Sequence, residues 1–185
     1  MKSFFDGKFD LDNPFVKTSN LLLLGDPETG KEYLHENYVK SIRGNQNQHL
    51  LDYEEDSKYG ELNSFTKGLH FGQDYIVRVH QISDPKISVI KQLVKSADEI
   101  FIFFESSNFS TLEGVSVWFN RVKRIRPEFN KISFVEMNIF GEGVEDDIVE
   151  SLLIETRSQY PLFRISSFEF PKDAENLYRH FIENL

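Results

Sequence analysis

The sequence predicts an α/β domain: a mostly parallel six-stranded sheet with one antiparallel edge strand and helices on both faces. Three observations carry this reading. The apolar run Asn20–Leu24 passes directly into a glycine-containing loop and then into a stretch of helical periodicity, the unit from which parallel sheets are assembled. Ile100–Phe104 is apolar at every position, as a strand covered on both faces must be. Apolar runs then alternate with amphipathic stretches to the end of the chain, in the order β-α-β-β-α-β-α-β-α-β-α.

Residues 1–17 read as an N-terminal extension, with Phe4, Phe5, Phe9 and Phe15 set among acids; it packs on the domain or serves as a partner-binding tail. Residues 18–185 read as one domain, with no repeat or linker to divide them. The first strand is Asn20–Leu24. The first helix is Glu32–Arg43, with Tyr33, Leu34, Tyr38, Val39 and Ile42 at helical spacing. Gly44 to Asn63 is polar and acidic and is expected to be a long connection. Ser64–Phe71 and Tyr75–Ile82 form a hairpin about a turn at Gly72-Gln-Asp74. Ile87–Ala97 is a short helix and Glu99–Phe104 the strand that follows it. Ser110–Arg126 is a helix with Leu112, Val115, Phe119, Val122 and Ile125 turned inward. Lys131–Asn138 and Leu162–Ile165 are strands, and Val144–Gln159 and Lys172–Leu185 are helices.

The loop after the first strand carries the chemistry. Gly25-Asp26-Pro27-Glu28-Thr29-Gly30-Lys31 has the spacing Gly-x4-Gly-Lys of a phosphate-binding loop: backbone N–H groups curl around phosphate oxygens, the helix end adds its positive pole, and the lysine reaches the β/γ-phosphates. The next position of such a loop is ordinarily Ser or Thr, whose hydroxyl ligates Mg²⁺; here it is Glu32. A carboxylate there either ligates a cation or satisfies helix-start N–H groups. Without a cation it repels the phosphate it would face, and Asp26 and Glu28 add to that repulsion.

Composition narrows the field. A net charge of −9 excludes the basic stripe of a nucleic-acid binder, and the one basic cluster, Arg121, Lys123, Arg124 and Arg126, reads as a solvated helix face. The chain has no cysteine, hence no disulfide, thiolate nucleophile, cysteine metal site or thioether lipid. The five histidines are not at ligand spacing, which argues against zinc. No apolar run reaches the length of a membrane span, and the expected location is the cytoplasm.

With this loop and this element order, residues 18–185 resemble the Ras superfamily of small GTPases, and within it the Rab-like proteins. Two further stretches carry the resemblance. Lys95-Ser-Ala-Asp-Glu-Ile-Phe-Ile-Phe-Phe104 looks like the family's fourth strand with its lead-in, and Ser110-Thr-Leu-Glu-Gly-Val-Ser-Val-Trp118 like its Ser-Phe-x6-Trp helix start. The resemblance implies a phosphate-loop, small-GTPase-like fold. It also implies a nucleotide site made of Gly25 to Glu32, Asn138, Ser166 and Ser167, with Glu32 and Asp84 as the candidate magnesium ligands.

The motifs depart from the family at the residues that handle nucleotide. The aspartate of Asn-Lys-x-Asp, which reads guanine, corresponds to Phe140, with Asn138 one place late; the lysine of Ser-Ala-Lys corresponds to Phe168. Where Asp-x-x-Gly-Gln is expected, Asp84 is the only acid, and the glycine and glutamine are absent; Thr66 or Ser64 stands for the switch threonine. The expected function is therefore a pseudo-GTPase protein-interaction module of signalling or trafficking. It would hold GTP or GDP with Mg²⁺ weakly or not at all, have no catalytic residue, and dock protein partners through Tyr53, Tyr59, Phe65, Leu69 and Phe71. The first alternative is a divergent GTP-binding switch with slow hydrolysis. The second, a phosphate-loop kinase, would want an arginine-bearing lid that the sequence lacks.

Overall fold

The computed structural model describes residues 17–43, 48–56, 61–70, 73–84, 89–139, 149, 151, 160–166 and 170–184. The strands are β1 (Lys17–Leu24), β2 (Gln48–Asp56), β3 (Glu61–His70), β4 (Gln73–Ile82), β5 (Glu99–Glu105), β6 (Ile132–Asn138) and β7 (Leu162–Ser166), in the sheet order β2-β3-β4-β1-β5-β6-β7. The helices are α1 (Lys31–Arg43), α2 (Ile90–Ser96), α3 (Phe109–Ile125) and α4 (Phe170–Glu183). The N-terminal extension up to residue 16 lies outside the described residues, as do Tyr59, Phe71, Phe140, Ser167 and Phe168. Of the helix expected over Val144–Gln159, Val149 and Ser151 are described, and both are helical.

The α/β class and the parallel arrangement stand: β4, β1, β5, β6 and β7 run parallel, each hydrogen-bonded to the next. Two details differ from expectation. Among the described residues the sheet has seven strands rather than six, and the strand antiparallel to its neighbours is β3, second from the edge, rather than the edge strand. The extra strand, β2, occupies the stretch expected to be a loop. Its register steps by two residues between Leu50 and Asp52 while β3 steps by one, from Thr66 to Phe65, so Leu51 is the added residue of a bulge. A bulge breaks the period-two pattern by which a strand is recognised. The acids Asp52, Glu54, Glu55 and Asp56 add to the disguise, although charge is common on edge strands.

The core lies in two layers. On one face Leu21, Leu23, Val79, Phe101 and Phe103 pack beneath α1 and α4; on the other Leu22, Leu24, Ile102, Phe104 and Phe134 pack beneath α2 and α3. Side chains alternate across a strand, so the run Leu21–Leu24 feeds both layers, and all four residues are buried. Between α1 and α4, Tyr38 stacks on Tyr178 at 3.8 Å, and the buried His35 Nδ1 lies 2.6 Å from the Tyr178 hydroxyl. Burial lowers the His35 pKa from 6.5 to about 4, so this imidazole is a packed neutral group.

Of the basic cluster at the end of α3, Arg124 is exposed as expected, whereas Arg126 and Lys123 depart from expectation. Arg126 is not a solvated side chain: its guanidinium donates to the carbonyls of Val94 (3.2 Å), Lys95 (3.3 Å) and Ala97 (2.8 Å) and lies over the Phe129 ring. It closes the carboxyl end of α2, whose last carbonyls have no helical partner. Lys123 likewise donates to the Phe129 carbonyl at 2.8 Å. No helix among the described residues is long and apolar enough to cross a membrane.

Candidate functional site

In the sheet order, β1 lies between β4 and β5, the neighbours the chain visits by crossing to opposite sides. At such a reversal the helices leaving the strand ends diverge and open a crevice at the carboxyl edge, where α/β proteins place ligands. The loop 25–31 starts there. Gly25 passes so close to β5 that a Cβ on it would come within 2.8 Å of the Phe103 carbonyl oxygen. Gly30 has φ +79° and Glu28 φ 71°, which curl the backbone back toward the first turn of α1. For Glu28, the left-handed conformation costs on the order of 1 kcal/mol that glycine would be spared.

Asp26 organises the loop with both its carbonyl and its carboxylate. Its carbonyl oxygen accepts from Thr29 Oγ1 and from Lys31 Nζ, each at 3.0 Å. Its Oδ1 accepts from Trp118 Nε1 of α3 at 2.8 Å. Oδ2 fills the notch left by Gly114 on the same helix, where a Cβ would overlap it. The loop is thereby fastened to α3.

Lys31, the residue that would meet phosphate, is fully buried. Besides the Asp26 carbonyl, its ammonium meets Glu32 Oε1 at 2.8 Å, and Ser83 Oγ donates to that same oxygen at 3.0 Å. Burial pushes the Lys31 ammonium down from its ordinary range, and the nearby Glu32 and Asp26 charges oppose the fall. For Glu32 burial acts to raise the pKa. The Lys31 charge and the hydrogen bonds from Lys31 and Ser83 outweigh it, so the carboxyl is held below its usual range.

The crevice is a cleft of about 470 Å³ lined by Glu28, Gly30, Glu32, Tyr33, Glu105, Ser107 and Asn108. Among these described lining residues three are carboxylates and none is a lysine or arginine. Glu105, at the end of β5, is buried, and its carboxylate accepts from Ser107 N (3.2 Å), Ser107 Oγ (2.9 Å) and Ile139 N (3.3 Å). Those donors tie the β5 and β6 ends together. Asn108 caps α3 by accepting from Ser110 N at 3.2 Å.

Of the residues expected to form the site, Gly25 to Gly30 make one continuous loop that leads into Lys31 and Glu32 at the start of α1. Asn138 and Ser166 stand opposite one another at the ends of β6 and β7, where Ser166 N donates to Asp173 Oδ2 at 3.2 Å. Asp84 is exposed just past β4, and its neighbour Ser83 is the residue that reaches Glu32. Among the described residues no group of three or more His, Cys, Asp or Glu side chains could hold a metal ion. The residues present fit a magnesium nucleotide poorly: the helix start lacks the magnesium hydroxyl, Glu32 Oε1 is taken by Lys31 and Ser83, and the cleft walls are acidic. Sequence reasoning missed Ser83, Gly114 and Glu105 as parts of this site and placed Trp118 only on its helix. Their partners, Glu32 for Ser83, Asp26 for Gly114 and Trp118, and Ile139 for Glu105, all lie far along the chain.

No model of a known protein family matches this chain, and no curated protein matches it.

Proposed function

We propose that this protein is a protein-interaction module built on a phosphate-loop α/β domain of the small-GTPase kind, working without a nucleotide cycle. One observation carries the reading: the loop's lysine is spent within the chain, on the Asp26 carbonyl and Glu32, in a cleft walled by Glu28, Glu32 and Glu105. A carboxylate about 5 Å from a phosphate costs on the order of 3 kcal/mol at an effective dielectric of ~20, so a triphosphate loses affinity from the same walls that would have to bind it. Partners dock on the β2–β3 side of the domain, which carries Tyr53, Phe65 and Leu69 in sequence. The docking is constitutive because no γ-phosphate orders that surface.

The test is to denature the purified protein, identify any released nucleotide, and titrate it with fluorescent GDP and ADP. The expected result is no retained nucleotide, and GDP and ADP affinities within about tenfold of each other, roughly 1.4 kcal/mol. Micromolar or tighter GDP binding with ADP excluded overturns the reading. The second reading, a divergent GTP-binding switch, is favoured by the retained loop curvature at Glu28 and Gly30 ahead of a 13-residue helix. Partner capture that depends on GTP over GDP would establish it.

A further inference from the structure

We propose that Glu32 is a built-in occupant of the loop, its carboxylate holding the place on Lys31 that an oxyanion would otherwise take, so that the chain closes its own anion site. The inference rests on the reading above and explains how the loop keeps its shape with no ligand to shape it.

A buried ammonium must have acceptors, or its charge is lost to desolvation. In a phosphate loop the acceptors come from phosphate oxygens; here they are Asp26 O at 3.0 Å and Glu32 Oε1 at 2.8 Å. Glu32 is well suited to the task. It opens the first turn of α1, where a carboxylate is favoured by the helix dipole, and its oxygen also accepts from Ser83 at the end of β4. One carboxylate oxygen thus bridges α1, β4 and the loop lysine. Asp26, held by Trp118 Nε1 and seated against Gly114, fixes the other side of the loop. The loop, α1, α3 and the end of β4 are closed on one another without an external anion.

Lys31 is fully buried, whereas Glu32 is half exposed, with 47% of its side-chain surface open to solvent. Of the two, the acid is the one free to leave. Swinging Glu32 into water strips Lys31 of its charged partner but leaves the curled backbone and the Asp26 fastening in place. A competing diphosphate can enter only then, and Glu28 and Glu105 still oppose it.

The probe is inorganic pyrophosphate, followed by calorimetry and by the fluorescence of Trp118, the only tryptophan in the chain and a direct partner of the loop. The wild type is expected to bind pyrophosphate at least tenfold more weakly than Glu32→Ser. The variant is expected to melt at a lower temperature than wild type in plain buffer and to recover when pyrophosphate is added. Glu32→Gln, which keeps size and removes charge, should gain affinity in the same direction, so the test survives if the serine variant folds poorly. Lys31→Met placed on Glu32→Ser should abolish the gain. Equal affinity in wild type and both Glu32 variants overturns the inference, as does a gain that persists without Lys31. Partner capture is a separate measurement: its failure would overturn the interaction reading and leave the pyrophosphate result standing.

Discussion

β5 carries a buried glutamate at each end, and the two are treated differently. Glu105, at the carboxyl edge beside the cleft, has its carboxylate met by two backbone N–H groups and a hydroxyl. Glu99, at the amino edge, receives one hydroxyl, Ser133 Oγ at 3.3 Å, and lies 3.9 Å from His180 Nε2. Burial raises the Glu99 pKa, with Ser133 and Lys131 opposing. The same residue type on the same strand thus meets three donors at one edge and is pressed toward neutrality at the other. The carboxyl edge brings Glu28, Glu32 and Glu105 together on one cleft.

Removing Glu105 tests that contrast most severely. Glu105→Ala leaves Ser107 N and Ile139 N without their acceptor and is expected to cost about 3 kcal/mol in urea unfolding, since hydrogen bonds to charged groups are each worth about 1.5–3 kcal/mol. A loss below about 1 kcal/mol would mean that the edge does not depend on its anion.

A further titrating group must be accounted for before the two edges of the sheet are compared by pH through Glu99 and Glu32. His35 sits four residues beyond Lys31 on α1, and its folded pKa of about 4 lies below its ordinary 6.5. The fold therefore holds the neutral ring, and its contribution is complete above 6.5 and is lost as pH falls from there through 4. The loss approaches about 3 kcal/mol below pH 4. His35→Gln, which can still bond the Tyr178 hydroxyl, should flatten that limb of the stability curve. A limb of undiminished size in the variant would assign it to another group.

Gly114→Ala probes the fastening of the loop to α3. Alanine in a helix interior ordinarily gains up to about 1 kcal/mol over glycine. Here its Cβ displaces the Asp26 carboxylate and costs the Trp118 bond, so a net loss of about 1 kcal/mol is expected, together with a shift of Trp118 emission. A stabilised protein with unchanged emission would show that Asp26 moves aside freely.

The smallest effect is expected at the other end of β5. Glu99→Gln should stay within about 0.5 kcal/mol of the parent at neutral pH or exceed it. The sign follows from the raised pKa: stability tied to Glu99 is complete below 4.5 and lost as pH rises through the folded value, so the glutamine variant should lack that loss. Glu32, with its lowered pKa, acts in the opposite sense and is lost as pH falls. Measured in the His35→Gln background, the two edges should tilt the curve in opposite directions. A common sign would end the comparison.

What the sequence disclosed, and what it hid, follows from the range of the interactions. The central strands were legible because each is an apolar run with its own boundaries, and the loop because its glycines and lysine are contiguous. β2 was hidden because the bulge at Leu51 scrambles its alternation and its neighbours are acids. The site's fastenings were hidden because each joins distant parts of the chain: Glu32 to Ser83, Asp26 to Trp118, Glu105 to Ile139. Glu32 itself was visible as an anomaly, but its contacts with Lys31 and Ser83 were not.

The position of β1 has a consequence for how the protein comes into being. It is synthesised first among the described strands, yet each of its pairings waits for a strand made much later: Lys17 for Tyr75, and Leu21 for Glu99. At a translation rate of about 5–20 residues per second, Leu21–Leu24 stays unpaired for roughly ten seconds as an apolar strand beside the ribosome exit. The β2–β3–β4 meander, whose pairings are local, can close meanwhile and offer β1 its first edge. Nascent chains halted before Glu99 emerges should therefore be the ones that chaperones hold, because the central strand still lacks its second partner.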